Sequence, residues 1–289
     1  MKGALAACLL ALALPCAAQP RMTDARVTER PVTGSLDATV RGVSAAASEP
    51  LWIAWAAPVE DGRSTMCCFH GDWDTGGNRM GSCRLEPGSG TTILSGNGNR
   101  TTPLELADVF FVFLRVENHR IERVRMFSEN CALEAGGRQV VWLTDVAGAD
   151  SVAFLSALAS EADADSRTRK GALSALAQHG VPEAVSALIR LAREAVESKV
   201  RGEALFWLSQ RAGARAVGAI SEAIEQDPET DVKKRAVFAL SQLPADEGVP
   251  KLIEVARNHR NPAVRKQAMF WLGQSNDPRA LAFFAEVLK

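Results

Sequence analysis

The second half of the chain carries a helical pattern of apolar residues that repeats every 32 residues. Four segments align without insertion or deletion: TRKGALSALAQ from Thr168, VRGEALFWLSQ from Val200, VKKRAVFALSQ from Val232 and VRKQAMFWLGQ from Val264. Within each segment the apolar positions follow at intervals of four, one and three, which places them on one face of a helix. A second apolar stripe follows each segment, and its equivalent positions include Val185, Val217, Val249 and Leu281. The pattern therefore predicts four pairs of helices.

The residues between these stripes are typical of helix ends. Asn261 and Asp277 each precede a proline, as a capping side chain does before the first helical residue, and Gly180 lies where a helix should end. A helix pair this short cannot bury its own apolar face, so about three or more pairs must stack on one another. SVAFLSALA from Ser151 resembles the second helix of a leading repeat without its first helix. The sequence thus predicts an α-α solenoid.

The first helices, of the form VRxxAxFWLxQ, and the last second helix, DPRALAFFAEVL, resemble the HEAT-like repeats of bacterial proteins. This class includes the repeats of phycobilisome lyases. The resemblance covers residues 147–289. In addition, VRMFSENCALEAGGRQVVWL, which ends at Leu143, is similar to a linking segment in exported bacterial proteins that join a cysteine-containing β-rich region to HEAT repeats. The resemblance implies an architecture and no particular activity.

The first half of the chain has short apolar runs separated by turn residues, which is typical of β-structure. DVFFVFLRVE and IERVRMFS, separated by NHR, predict a hairpin because Val112, Leu114 and Val116 alternate with Phe113 and Arg115. Residues 19–49 show no lasting period, and we expect a flexible start there. The predicted fold class is α+β: a small disulfide-stapled β-rich N-terminal domain at residues 19–146, then an all-α HEAT-like α-α solenoid at residues 147–289, with four 32-residue repeats and a leading half repeat.

The first twenty residues, MKGALAACLLALALPCAAQP, have the layout of a secretory signal peptide. Lys2 precedes an apolar run that is shorter than the about 20 residues of a membrane-spanning helix. We expect residues 1–18 to be removed and the bacterial protein to be periplasmic or secreted, with no transmembrane segment. Export and a net charge of -1 also argue against a nucleic-acid partner.

Four cysteines remain after removal of residues 1–18: Cys67, Cys68, Cys83 and Cys131. An even number of cysteines in an oxidising compartment predicts disulfides. Because bridged cysteines prefer α-carbons farther apart than those of adjacent residues, a bond between Cys67 and Cys68 is disfavoured. We expect one of them to pair with Cys83 and the other with Cys131.

The segment MCCFHGDWD offers a competing hypothesis of metal or catalytic chemistry. His70, Asp72 and Asp74 would lie on one face of a strand, where the carboxylates suit a hard cation, whereas on a loop such aspartates are turn residues. Cys67 and His70 form the only Cys-x-x-His pair, and no second pair completes a zinc site. We therefore expect no metal, no cofactor and no catalytic residue. The alternative is a ligand-processing or metal-binding protein that uses the Cys67/Cys68/His70 region.

Two polar ladders run through equivalent positions of the repeats. The basic ladder consists of Arg169, Arg201, Lys233 and Arg265. The glutamine ladder consists of Gln178, Gln210, Gln242 and Gln274. Such ladders can grip an extended or acidic partner, or they can bond within the protein. Because charges about 10 Å apart are largely screened, no anionic ligand is needed to hold the basic ladder. We favour internal bonds to carboxylates or carbonyls for the basic ladder and inter-repeat hydrogen bonds for the glutamine ladder.

The repeats suggest binding rather than catalysis. We expect Phe206, Trp207, Phe270 and Trp271 to fill the core, and Phe283 or Phe284 to contact another protein or a second copy of the chain. The curved face of the second helices is the expected contact surface, through Arg190, Glu222, Glu254 and Glu286. The sequence thus favours an exported, non-enzymatic protein-binding or scaffold protein whose partner is another envelope or secreted protein.

Overall fold

The structure is a computed structural model that describes residues 19–59, 83–86, 108–129, 131, 133–211 and 214–288. Within these ranges, strands dominate up to residue 144 and helices follow from residue 148. No helix in the described ranges is both long enough and apolar enough to span a bilayer.

Two β-sheets and one helix form the N-terminal part. The elements are β1 (Met22–Thr23), β2 (Arg26–Pro31), α1 (Leu36–Ala46), β3 (Leu51–Pro58), β4 (Cys83–Arg84), β5 (Val109–Glu117), β6 (Arg120–Ser128), β7 (Leu133–Glu134) and β8 (Gln139–Thr144). The larger sheet has the order β2-β8-β3-β5-β6, and the smaller one has the order β1-β7-β4. In the larger sheet β5 is antiparallel to β3 and β6, whereas β8 is parallel to both β2 and β3.

The predicted hairpin is confirmed as β5 and β6. Its turn is Asn118 and His119, with φ of 51° and 62°. Two consecutive positive φ angles are typical of the tight hairpin turn whose twist matches that of the strands. Arg120 already belongs to β6, so the turn is one residue shorter than the NHR segment suggests.

The central strands β3, β5 and β8 of the larger sheet are buried on both faces. One face, with Ile53 and Trp55, packs against helices and belongs to the core that continues through the solenoid. The opposite face, with Trp52 and Phe113, packs against the small sheet in a second core that contains Cys83. Alternation along the strands thus sends neighbouring side chains into two different cores.

The expectation of a flexible start at residues 19–49 is wrong, since this segment forms β2 and α1. α1 begins at the cap Ser35, whose side chain accepts a hydrogen bond from the Ala38 N–H, and Leu36, Val40 and Val43 are buried on one face. In β2 every side chain is exposed, and the strand is paired with β8 through its backbone. A strand without buried side chains leaves no alternating pattern in the sequence.

Nine helices follow, and they confirm the predicted solenoid within the described residues. They are α2 (Gly148–Ser160), α3 (Ser166–Gln178), α4 (Pro182–Glu194), α5 (Ser198–Gln210), α6 (Ala214–Gln226), α7 (Thr230–Ser241), α8 (Ala245–Asn258), α9 (Pro262–Gln274) and α10 (Pro278–Val287). α3, α5, α7 and α9 are the first helices of the repeats, and α4, α6, α8 and α10 are the second helices. Asn261 and Asp277 cap α9 and α10 through their side chains.

The edge strand β6 takes the place of the first helix that the leading repeat lacks. α2 is the second helix of that half repeat, and α3 packs on α2 and on β6. The approach to β6 is close: a Cβ added at Gly171 would lie 2.5 Å from the carbonyl oxygen of Val124. Thr168, which is fully buried, donates from its hydroxyl to the Ile121 carbonyl. The sheet and the solenoid therefore share one continuous core.

A buried chain of hydrogen bonds crosses this junction. Trp55 Nε1 donates to Ser151 Oγ at 2.8 Å, and Ser151 Oγ lies 2.8 Å from His179 Nε2. His179 Nδ1 lies 2.8 Å from the Ala175 carbonyl oxygen, which can only accept. Nδ1 therefore carries the proton, and Nε2 accepts from the Ser151 hydroxyl. Burial lowers the pKa of His179 to about 4, so the ring is neutral near pH 7.

Candidate functional site

A chain of five aromatic rings crosses three successive first helices. The Trp207 and Phe206 centroids are 5.1 Å apart on α5, and Phe206 stacks on Phe238 of α7 at 6.0 Å with the ring planes 1° apart. Phe238 lies 4.9 Å from Trp271 of α9, which lies 5.0 Å from Phe270. We name these five residues the aromatic track.

The aromatic track lies at the surface, so the expectation that its residues fill the core is wrong for Phe270 and incomplete for the others. The side chain of Phe270 is 54% exposed, and the other four rings are half-buried. Trp207 and Trp271 pack one side against the solenoid core. The indole Nε1 of Trp271 is buried without an acceptor among the described residues.

The glutamine ladder borders the aromatic track, because each glutamine follows the phenylalanine position by four residues, one helical turn. Gln210, Gln242 and Gln274 are exposed, and Gln178 is half-buried. Gln210 and Gln242 donate to the adjacent serine of their own helix, at 3.4 and 3.2 Å. The expected inter-repeat hydrogen bonds stay a prediction.

Basic side chains border the aromatic track on its other side, one helical turn earlier. Lys170, Lys234 and Lys266 are equivalent and solvent-accessible, and we name them the lysine row. Arg235 extends over Gly202 of α5, where an added Cβ would meet its Cδ at 2.3 Å. Arg235 forms an ion pair with Glu203 at 3.4 Å, and both side chains remain partly exposed. The border is therefore predominantly positive.

The first helices form the inner side of the curve from α5 onwards. α5 packs closely on α7 and α7 on α9, whereas the second helices α6 and α8 make much less contact. A stack of repeats curves toward the layer in which the helices approach each other more closely. The aromatic track therefore lies on the inner face.

The basic ladder holds the ends of the preceding second helices. Each member donates to carbonyls at such a C-terminus, as Arg265 does to His259 and Lys233 does to Ile224 and Glu225. Arg169 also forms an ion pair with Glu197, and Arg201 forms one with Asp227, both at 2.7 Å. Each of these carboxylates lies just before the next first helix. Cations are favoured at helix C-termini, so these contacts are structural. Burial lowers the pKa of Lys233.

Two stretches of the chain, residues 138–209 and 217–289, match the family described as HEAT repeats. Together they make up half of the 289 residues. The chain belongs to the HEAT-repeat family. No curated protein is significantly similar to it in sequence.

Three solved structures are similar to parts of this HEAT-repeat chain. Human deoxyhypusine hydroxylase in complex with glycerol is 22% identical (TM-score 0.36) over 42% of this chain and 42% of its own. The CpcE and CpcF complex of phycocyanin lyase from Nostoc sp. is 17% identical (TM-score 0.37) over 48% of this chain and 88% of the lyase chain. YibA of E. coli is 20% identical (TM-score 0.33) over 48% of this chain and 54% of the YibA chain. The chain spans less than two thirds of the hydroxylase and of YibA, and these similarities transfer neither activity nor partner.

The predicted contact residues of the second helices lie on the outer side of the HEAT solenoid. Glu222 and Glu286 form ion pairs with Arg193 and Arg257, both at 2.5 Å, which link successive second helices. Arg190 is exposed, and Glu254, which is also exposed, lies 2.9 Å from Lys251. That these four contact a partner stays a prediction.

Of Phe283 and Phe284, one of which is expected to contact another protein, Phe283 is buried, so the prediction rests on Phe284. The Phe283 side chain is 3% exposed and lies beneath the guanidinium of Arg257, 5.4 Å from the ring centroid. Phe284 is half-buried. The exposed apolar residues of α10 and its end are instead Leu281, Val287 and Leu288.

Cys83 and Cys131 are buried in the core between the two sheets, and both are disulfide-bonded. Their expected partners, Cys67 and Cys68, lie outside the described residues, as do His70, Asp72 and Asp74. The pairing and the competing metal hypothesis therefore stay predictions. In the described ranges, no group of three or more His, Cys, Asp or Glu side chains could hold a metal ion.

Proposed function

We propose that this HEAT-repeat protein is an exported, non-enzymatic binding protein that holds another envelope or secreted protein on the inner face of its solenoid. The observation that carries the proposal is the aromatic track. Aromatic side chains are enriched where partners bind, and this track reaches the surface, with Phe270 54% exposed. Here Phe206, Phe238 and Phe270 repeat at equivalent positions of three helices.

Export is supported by the leader-like first 18 residues and by the disulfide-bonded Cys83 and Cys131, since disulfides persist in oxidising compartments. We propose a bacterial periplasm or the secreted fraction as the location. A scaffold needs no reactive group. The aromatic track offers stacking rings and indole N–H donors, which suit binding, whereas covalent catalysis would need a nucleophile beside a base.

The test is site-specific photo-crosslinking in intact cells. A photoreactive residue replaces Gln242 beside the aromatic track in one variant and Glu254 on the outer face in another. We expect a discrete crosslinked protein from the Gln242 site, and loss of that product when Phe238→Ala is added. Equal products from both sites, or a Gln242 product that is insensitive to Phe238→Ala, would contradict the proposal.

A second surface supports self-association as a further proposal. Leu281, Val287 and Leu288 are 66%, 51% and 83% exposed, and their equivalents in inner repeats are largely buried. Sedimentation of the protein with and without Leu281→Ser and Leu288→Ser tests it. We expect a concentration-dependent dimer that the double substitution dissociates; a monomer at all concentrations would contradict self-association through α10.

A further inference from the structure

We infer that a groove between α3 and α5 binds a small dianion, specifically an aliphatic dicarboxylate. The groove has a volume of about 180 Å³, and none of the five residues of the aromatic track lines it. The inference goes beyond the proposed function and does not depend on it, because it concerns other residues and a small ligand. It follows from a break in the repeat pattern, from an excess of positive charge, and from the size and floor of the groove.

The groove lies where the lysine row is interrupted. Lys170, Lys234 and Lys266 occupy equivalent positions, but the same position of α5 is Gly202. Arg235 of α7 occupies the space that a side chain would fill there, since its Nε and Nη1 lie 3.2 and 3.4 Å from the position of an added Cβ. A glycine in one repeat thus lets a cation of the next repeat reach the groove between α3 and α5.

The cations that line the groove are incompletely neutralised. Lys170 and Lys199 are exposed and form no ion pair with any residue in the described ranges. Arg235 lies 3.4 Å from the lining carboxylate of Glu203, and this partly exposed pair is weak. Arg169 also lines the groove, but it is already bonded to another carboxylate at 2.7 Å and to two backbone carbonyls.

This arrangement favours a ligand with two negative charges. With Arg169 neutralised, three cations face one carboxylate among the described lining residues, which leaves an excess of two positive charges. A groove lined mainly by one sign of charge concentrates counter-ions of the opposite sign. The Arg235 guanidinium suits a carboxylate, which can accept two parallel hydrogen bonds from it, and a lysine ammonium can hold a second carboxylate as a point charge.

The size and the floor of the groove select among dianions. A cavity of about 150 Å³ holds benzene, so this groove admits a molecule slightly larger than benzene. Pockets for drug-sized ligands are larger, at about 300–1,000 Å³. Leu173 and Val200 are buried and give the groove an apolar part. Methylene groups between two carboxylates can lie on these side chains, whereas inorganic phosphate has no apolar part to place there.

Isothermal titration calorimetry of the full chain with succinate at low ionic strength tests the inference. We expect saturable binding at one site, about tenfold tighter than that of the monoanion acetate. The double substitution Lys170→Gln/Lys199→Gln should weaken succinate binding about tenfold. The matched control Lys234→Gln/Lys266→Gln removes the same charge outside the groove and should change the affinity less than about twofold.

Gly202→Ala tests the break in the lysine row without changing the charge. Its Cβ would displace the Arg235 side chain, so we expect succinate binding to weaken about threefold. The clash is with the far end of a flexible side chain, and thermal melts establish that this and the other variants are folded.

Four outcomes would overturn the inference: no saturable binding of succinate, binding of inorganic phosphate as tight as that of succinate, equal losses for the two double variants, or tighter binding of an acetylated Glu-Glu dipeptide amide. The last result would assign the groove to an acidic protein segment. The Gln242 crosslink and its dependence on Phe238 involve other residues. Failure of succinate binding is therefore distinguishable from failure of the proposed function.

Discussion

The imidazole Nε2 of His179 lies 2.8 Å from the hydroxyl of Ser151, and this hydrogen bond joins the end of α3 to α2 within the junction of sheet and solenoid. Trp55 of β3 donates to the same hydroxyl. Both His179 and Ser151 have no exposed surface, so the pair is structural and cannot meet a substrate. A protonated ring would leave the Ser151 hydroxyl hydrogen without its acceptor.

Stability should therefore depend on pH through His179. Its pKa is about 4 in the folded protein against 6.5 for an unperturbed histidine, so the unfolded chain binds the extra proton between these values. Stability is greatest above pH 6.5 and falls as pH decreases to 4, by about 3 kcal/mol in total from this group. Urea unfolding at half-unit pH intervals measures it.

His179→Gln is the control for this prediction, because carboxylates also titrate in acid. The variant should be less stable at pH 7 and should show a smaller loss of stability between pH 6.5 and 4.5 than the wild-type protein. Parallel pH profiles for the two proteins would show that His179 is not the group responsible.

Gly171 should tolerate no side chain, because α3 contacts the backbone of β6 there. Alanine would bring its Cβ to 2.5 Å from the Val124 carbonyl oxygen, and α3 would have to move. We expect Gly171→Ala to reduce the free energy of unfolding by about 1–3 kcal/mol. Gly218→Ala is the matched control: nothing lies within 4 Å of its added Cβ, and removing a helical glycine should stabilise by up to about 1 kcal/mol. Similar effects of the two substitutions in urea unfolding would argue against the tight junction.

The ion pair between Arg201 and Asp227 should contribute much more to stability than the exposed pairs of the second helices. Its side chains are 9% and 5% exposed, so Arg201→Met leaves a buried carboxylate and should cost about 3–5 kcal/mol. Arg193→Met, which breaks the exposed pair with Glu222, should cost less than about 1 kcal/mol. Adding Asp227→Asn to Arg201→Met should recover part of the loss. Calorimetric melting of the three variants and the wild type checks the order, and equal costs for the two single arginine substitutions would contradict it.

Cys67, Cys68, Cys83 and Cys131 should all be oxidised. Cys83 and Cys131 are disulfide-bonded, and we predict Cys67 and Cys68 as their partners. Alkylation of the denatured, unreduced protein should label no thiol, and peptide mapping should yield both bridges. Reduction should cost about 2–4 kcal/mol per bridge. Free Cys67 and Cys68, or a bond between Cys83 and Cys131, would reject the predicted pairing.

The sequence predicts the solenoid well because its pattern is local. Each helix carries its own apolar stripe and its own end signals, such as Asn261 and Asp277, and the period of 32 residues reinforces four weak patterns. The β5 and β6 hairpin is predictable for the same reason. β2 is not, because its pairing with β8 uses backbone groups alone and its side chains are all exposed.

The aromatic track is harder to predict, because exposure depends on how successive repeats stack. On α9, Phe270 lies beside the apolar stripe that contains Met269, and the sequence does not show whether a ring in that position packs on the next repeat or faces solvent. The period does contain a signal: phenylalanine at three equivalent positions, each followed four residues later by glutamine, marks a repeated surface. Phe283 is the opposite case, since Arg257 from the preceding second helix covers it.

The most direct measurement is the affinity of the protein for the partner captured at the Gln242 site, determined by calorimetry for the wild type, Phe238→Ala and the double variant Glu222→Ala/Glu254→Ala. Binding on the inner face predicts at least a tenfold loss of affinity for Phe238→Ala and less than a twofold change for the double variant. The reverse order would move the binding surface to the second helices and contradict the role of the aromatic track.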